Sequence, residues 1–194
     1  RVRSSAASDV YKRQVMERPL EFSHHFLASI LDKDAICVDA TMGNGNDTIF
    51  LAERCQKVYA FDIQEQAIQS TKRRLKEKNI ENVCLILDGH ENVDTYVSKI
   101  RAAIFNLGYL PQADKSVVTK SQTTLLALEK IIDMLEHKGR VAIMVYYGHD
   151  GGNDEKEAIL SFVSHLPQDS FTVMSYQALN QKNTPPFLIM IEKR

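Results

Sequence analysis

The alternation of strand-like and helix-like segments restricts the fold of this chain more than any other feature. Seven short apolar runs follow residue 16, most of them separated by segments with helical periodicity. Such alternation predicts a mostly parallel sheet with helices on both faces, as in a Rossmann-like α/β domain. The predicted strands are 35–38, 58–61, 83–87, 102–105, 141–145, 171–176 and 187–191, and the predicted helices are 20–31, 46–53, 65–78, 121–135 and 155–165.

The N-terminal residues differ in character from the rest of the chain. Residues 4–14 resemble the in-frame translation of a transposase adapter, so we expect 1–15 to be adapter-derived or a disordered tail. We expect residues 16–194 to form one domain. Without residues 1–14 the chain has 20 basic and 24 acidic residues, a net charge of −4. This balance argues against indiscriminate nucleic-acid binding, which depends on phosphate neutralisation, but allows a local basic patch.

The composition excludes several classes of protein. The three cysteines, Cys37, Cys55 and Cys84, are widely spaced and form no CxxC pair, so we expect neither a metal site nor a disulfide framework. No apolar run approaches the roughly 20 residues that a membrane-spanning helix needs. These features predict a cytoplasmic protein that binds no membrane and no metal.

Polar residues recur where the predicted strands end. Asp39, Asp62, Asp88, Asn106 and His149 each close a strand or lie in the loop after it. Because sheets of this kind bind ligands at the carboxyl ends of their strands, we expect these residues to surround one ligand site.

The segment after the first strand reads D-A-T-M-G-N-G-N-D-T. Gly43 and Gly45 permit a tight turn and a close approach to a ligand. Thr48 replaces the third glycine of the NAD fingerprint, and the Asp39 carboxylate suits a cationic ligand. S-adenosylmethionine carries a sulfonium and an ammonium group, whereas NAD presents an anionic pyrophosphate. The loop therefore predicts S-adenosylmethionine, with these cofactor-binding residues: Asp39, Thr41, Gly43, Asn44, Gly45, Asn46, Asp47 and Thr48.

The next two strand ends complete the predicted cofactor site. Asp62 lies about 20 residues after the glycine loop, where a carboxylate accepts from ribose hydroxyls; a helix cap is the alternative. Asp88 could accept from the adenine amino group. The predicted cofactor contacts beyond the loop are Asp62, Ile63, Gln64, Asp88, Gly89, His90 and Asn106.

The fourth strand leads into Asn-Leu-Gly-Tyr-Leu-Pro at residues 106–111. An asparagine carbonyl can accept N–H bonds from a substrate amine and aim its lone pair at the methyl group, while a tyrosine can stack on a base. A helix-breaking turn is the alternative. The predicted catalytic residues are Asn106, Tyr109 and His149, the last as a proton acceptor, and the predicted substrate contacts are Leu107, Gly108, Tyr109, Lys115, Lys120, Tyr147 and Gly148.

Taken together, these motifs resemble the bacterial family once labelled putative rRNA methylase and now associated with methylation of the 5-aminomethyl group of wobble (2-thio)uridine in tRNA. The resemblance spans residues 20–194 and includes Ser23-His24, the glycine loop, Asp88-Gly89-His90 and Tyr147-Gly148-His149. It implies a class I methyltransferase fold with a seven-stranded sheet, S-adenosylmethionine as methyl donor, the tRNA anticodon loop as partner and a homodimer.

Other functions remain open at this point. The same cofactor site could serve another RNA, such as rRNA, or a small-molecule amine. An NAD-dependent oxidoreductase is disfavoured by Thr48. A non-catalytic RNA-binding module on the same fold is disfavoured by the intact Asp39, Asp62 and Asn106.

Overall fold

The computed structural model describes residues 16–107, 121–148 and 151–194. Five α-helices and seven strands lie within these residues. The helices are α1 (Pro19–Ala28), α2 (Asn46–Ala52), α3 (Glu65–Glu77), α4 (Ser121–Met134) and α5 (Gly152–Ser164), with a 3-10 helix at His90–Thr95. The strands are β1 (Ile36–Asp39), β2 (Lys57–Asp62), β3 (Val83–Leu87), β4 (Ile100–Leu107), β5 (Leu135–Val145), β6 (Phe171–Tyr176) and β7 (Phe187–Lys193).

One seven-stranded sheet has the order β3-β2-β1-β4-β5-β7-β6. The first five strands in this order are parallel, and β7 runs antiparallel to both β5 and β6. The prediction of a mostly parallel, seven-stranded Rossmann-like sheet is confirmed.

Four strands, β2, β4, β5 and β7, are longer than predicted, and the difference is largest for β4 and β5. β4 continues through Asn106, which pairs with Met144 of β5. β5 begins at Leu135 because its first residues, which are mostly charged, form ion pairs with neighbouring strands. Glu136 pairs with Arg101 of β4, and Arg140 pairs with Glu192 of β7.

Side chains of successive strand residues enter two apolar layers. In β4, Ala103, Phe105 and Leu107 pack with α4 and α5, whereas Ala102 and Ile104 pack with α1 and α2. This alternation is the period of two of a β-strand that is buried on both faces. Helices therefore cover both faces of the sheet, as predicted.

Helix α1 is anchored by residues of β5 and β6. The Arg140 guanidinium donates a 2.6 Å hydrogen bond to the carbonyl oxygen of Phe26 and stacks over its ring. The hydroxyl of Tyr176 on β6 donates to the carbonyl oxygen of Glu17, 2.9 Å away. These contacts hold α1 across β5 and β7, and thereby position the side chains that α1 directs toward α2.

Deletion of residues 1–15 should leave the fold unchanged, because the segment resembles translated adapter sequence. We expect the free energy of unfolding to change by less than about 0.5 kcal/mol, which shifts the melting temperature of a chain of this size by less than about 2 °C. Differential scanning calorimetry of the full chain and the truncated chain measures this shift. A fall of 5 °C or more would contradict the adapter interpretation.

In the described ranges, no helix is long and apolar enough to cross a membrane. Within the same ranges, no group of three or more His, Cys, Asp or Glu side chains lies close enough to hold a metal ion.

Candidate active site

Polar residues from neighbouring parallel strands meet at one edge of the sheet. The strand order reverses between β1 and β4, and open α/β sheets bind ligands in the crevice at such a switch point. Asp39 ends β1, Asp62 ends β2 and Asn106 lies at the end of β4. All three contact the loop formed by residues 39–48. The structure thus brings these predicted residues together.

The glycine loop lies close against α3 at the point where it leads into α2. Gly45 has a φ of 76°, and a Cβ atom there would lie 2.6 Å from the Thr71 side chain on α3. Any larger residue would therefore separate the loop from α3. The Arg74 guanidinium donates to the Asn44 carbonyl oxygen on the outer side. Asn44 and Asn46 have exposed side chains.

Asp39 lies inside the loop rather than in the crevice. Its side chain is fully buried, and its carboxylate accepts from the Thr48 hydroxyl at 2.6 Å and the Thr41 amide at 3.2 Å. Burial, followed by the negative charge of Asp47, raises the pKa of Asp39 to about 7. Direct contact between Asp39 and a cationic ligand was expected from the sequence; the structure instead shows a carboxyl group that braces the loop.

Asp62 joins the glycine loop to the turn before α3. Its Oδ2 accepts from the Gly43 amide and its Oδ1 from the Gln64 amide, each at 2.9 Å. Burial raises the pKa of the Asp62 carboxyl, against the effect of these backbone donors. A carboxylate has about four acceptor sites, so Asp62 can also accept from a ligand hydroxyl. Ile63, the next residue, is a large apolar side chain that is 62% exposed.

Asp88 is supported by two residues that the sequence interpretation did not include. Asn92 donates to its Oδ1 at 2.9 Å, and the Tyr96 hydroxyl donates to its Oδ2 at 3.0 Å. These donors, with Asn92 the stronger, lower the pKa of the Asp88 carboxyl. Both supporting residues lie in or just after the 3-10 helix that follows Gly89. A polar residue four positions after a strand-end acid is the sequence signal for such support.

His90 has a defined tautomer. Its Nδ1 lies 2.9 Å from the carbonyl oxygen of Ala40, which can only accept, so Nδ1 carries the proton. Burial lowers the pKa of His90, which keeps the ring neutral. The Nε2 atom is then a buried acceptor without a hydrogen-bond partner among the described residues.

Asn106 has a defined orientation as well. Its backbone amide donates to the Thr41 hydroxyl oxygen at 2.6 Å, and its side-chain amide lies 3.1 Å from the Asp47 Oδ2. The other Asp47 oxygen lies 2.7 Å from the His24 Nε2. The Asp47 side chain is almost completely buried. Asp47 is among the residues predicted to bind the cofactor, whereas His24 is not among the predicted site residues, although Ser23-His24 belongs to the family pattern.

The end of β5 borders the same crevice. Burial, and then the charge of Asp47, raise the pKa of the Tyr146 hydroxyl, which lies directly after β5. Tyr147 packs edge-on against Phe187, with the Lys156 ammonium 4.9 Å from its ring centre. Tyr147 lines a cavity of about 150 Å³ together with Lys156, Leu160, Ser175, Gln177 and Phe187. Gly148, the next residue, is exposed.

Leu107 is a predicted substrate contact that could act only through its backbone. Its side chain is fully buried in the apolar layer under α4 and α5 and does not reach the crevice. The alternation of β4 accounts for this, since Asn106 faces the opposite side. The predicted residues Gly108, Tyr109, Lys115, Lys120 and His149 lie outside the described residues.

Comparisons with known proteins agree with this geometry. The family model described as "Putative rRNA methylase" matches residues 58–192. The Arabidopsis thaliana protein named tRNA (mnm(5)s(2)U34)-methyltransferase, chloroplastic, is 34% identical over 192 residues, covering 91% of this chain and 70% of that protein.

Solved structures give the same result. A putative methyltransferase from Streptococcus mutans, crystallised in complex with SAH, is 60% identical and superposes with a TM-score of 0.89, covering 92% of this chain and 99% of that chain. A putative rRNA-methylase from Clostridium thermocellum is 41% identical with a TM-score of 0.90 over the same shares of the two chains. These matches confirm the predicted family, fold and cofactor class. The chain belongs to the Putative rRNA methylase family, within the class I methyltransferases that depend on S-adenosylmethionine.

Proposed function

We propose that this enzyme transfers the methyl group of S-adenosylmethionine to the primary amine of 5-aminomethyl-(2-thio)uridine at the wobble position of tRNA. The observation that carries the proposal is the orientation of Asn106 at the end of β4. A carboxylate only accepts hydrogen bonds, so the Asn106 atom beside Asp47 is the NH₂ group. The Asn106 carbonyl oxygen therefore points away from Asp47 and can accept an N–H bond from an amine.

The chemistry requires orientation more than activation. The amine must be neutral, since an ammonium group has no lone pair. In the transfer, the N–CH₃ bond forms while the S–CH₃ bond of the sulfonium breaks, which leaves S-adenosylhomocysteine and a proton on the product nitrogen. An acceptor on the amine N–H fixes the direction of the lone pair and so favours the near-attack geometry. His149 stays a predicted acceptor for the released proton.

The residues around the crevice fit S-adenosylmethionine. The free lone pairs of Asp62 suit the ribose hydroxyls, the exposed Ile63 suits the adenine ring, and Asp88 suits the adenine amino group. Asp39 supports the glycine loop that would pass beside the methionine part of the cofactor.

The choice of tRNA is supported by the name of the Arabidopsis relative, while the family description refers to rRNA. With residues 1–14 set aside, the chain is acidic, which fits one exposed loop better than long duplex RNA. Lys115 and Lys120 stay predicted phosphate contacts, and the homodimer and the cytoplasmic location also stay predictions. Mass analysis of tRNA nucleosides after incubation with the enzyme tests the proposal.

Replacing Asp62 with alanine should weaken S-adenosylmethionine binding by about 1.5–3 kcal/mol, the range for a hydrogen bond to a charged group. The dissociation constant would then rise about 10- to 150-fold. Isothermal titration calorimetry measures this change, and circular dichroism checks that the variant is folded. The wild-type protein should show no comparable binding of NAD. Unchanged affinity in a folded variant would remove Asp62 from the cofactor site.

A further inference from the structure

We propose that His24 is a positioning residue for methyl transfer: through Asp47 it fixes the direction of the Asn106 amide. This inference rests on the proposed function, in which the Asn106 carbonyl oxygen accepts from the substrate amine. The three side chains come from three separate elements, α1, α2 and β4, and form one hydrogen-bonded chain.

Asp47 determines which groups donate in this series of hydrogen bonds. A carboxylate has only acceptor atoms, so both neighbours donate to it: His24 through Nε2–H and Asn106 through its NH₂ group. The distances of 2.7 Å and 3.1 Å fit charge-assisted hydrogen bonds. The Asn106 amide can satisfy this arrangement in one orientation.

The His24 donor fixes the direction of the Asp47 carboxylate. Asp47 is 5% exposed, and the charged or titratable described groups that face it are His24, Asp39 and Tyr146. One carboxylate oxygen lies beside His24 and the other beside Asn106. Without the His24 donor, the carboxylate can rotate about its terminal bond, so the Asn106 NH₂ group loses its fixed acceptor. The amide could then turn its NH₂ group toward the substrate, where an amine lone pair could bind it instead of attacking the methyl group.

The His24 ring is also held in place by a contact that does not involve Asp47 or Asn106. It stacks on Phe50 with ring centres 3.9 Å apart and planes 5° apart. Phe50 lies one turn after Asp47 on α2, so one helix presents both the stacking ring and the acceptor. A phenylalanine at position 24 can keep the stacking while it removes the donor.

This difference defines the experiment. H24F should lower kcat about 10- to 100-fold on tRNA that bears 5-aminomethyluridine, whereas the S-adenosylmethionine dissociation constant and the melting temperature should stay close to wild type. H24Q restores a donor at the position of Nε2 and should turn over within about threefold of wild type. H25F changes a neighbouring histidine whose ring pairs with Glu17. His25 takes no part in the hydrogen bonds of His24, Asp47 and Asn106, so H25F should leave kcat unchanged. Normal kcat in H24F, or equal losses in H24F and H24Q, would overturn the inference.

A second measurement does not depend on the substrate. In ¹⁵N-labelled enzyme, the Asn106 side-chain NH₂ signal, assigned by its absence in N106D, should exchange slowly with solvent. We expect H24F to accelerate this exchange at least about fivefold and H24Q to leave it near wild type. An unchanged Asn106 signal in H24F would overturn the positioning role. Absence of wild-type turnover on the aminomethyl tRNA, combined with the expected exchange pattern, would contradict the proposed substrate alone.

Discussion

Replacing Asn106 with alanine should lower turnover about 100-fold or more while S-adenosylmethionine affinity stays within about twofold of wild type. The side chain lies at the end of β4, and its amide nitrogen already bonds Asp47, so its carbonyl oxygen is the atom available to a substrate. Removing it takes away the contact that is proposed to orient the amine. Single-turnover kinetics with S-adenosylmethionine labelled in the methyl group, together with calorimetry of cofactor binding, separates the two effects.

N106D provides the matched control because it preserves the shape of the side chain. A carboxylate at position 106 would face the Asp47 carboxylate without a hydrogen atom between them and would stabilise the protonated, unreactive form of the amine. We therefore expect N106D to stay slow and its rate to rise with pH more steeply than that of wild type. Normal turnover of N106A would mean that the end of β4 serves the fold and that the amine-orienting mechanism is wrong.

The fold could be predicted because its strands are apolar runs that end in polar residues. The strand 171–176 was predicted with its observed bounds, and α2 begins at the predicted Asn46. The start of β5 was missed since residues 136–140 are mostly charged or small and pair through side-chain ion pairs. Hydropathy does not detect a strand whose outer residues are satisfied by cross-strand charges.

The expectation that ligands bind at the carboxyl ends of the strands located the site but did not predict the role of each acidic residue. Asp39 and Asp62 occupy equivalent places on β1 and β2, yet Asp39 is fully enclosed by its own loop while Asp62 lies half-buried beside the exposed Ile63. Only the packing of the glycine loop distinguishes the enclosed Asp39 from the half-buried Asp62. His24 precedes Asp47 by 23 residues on another helix, so their contact depends on the docking of α1 by Arg140 and Tyr176. Sequence periodicity contains no signal for such a tertiary contact.

The substrate prediction concerns the nucleophile. Purified enzyme with S-adenosylmethionine and tRNA bearing 5-aminomethyluridine should yield 5-methylaminomethyluridine, identified by mass spectrometry of the nucleosides. The same tRNA without the aminomethyl group should give at least about 100-fold less product, because an oriented aliphatic amine is the proposed nucleophile. N106A with the aminomethyl tRNA provides the matched enzyme control.

Two further conditions make this comparison decisive. Binding of the tRNA should weaken only modestly as salt rises from about 50 to 200 mM, since few phosphate contacts are expected from an acidic protein. Ribosomal RNA should serve as a competing substrate in the same assay, because the family description refers to rRNA. Robust methylation of the unmodified tRNA, or of the ribosomal RNA in place of the aminomethyl tRNA, would refute the wobble-amine assignment. The class of enzyme would stand in that case, since the fold and the family do not depend on which nucleophile reaches the crevice between β1 and β4.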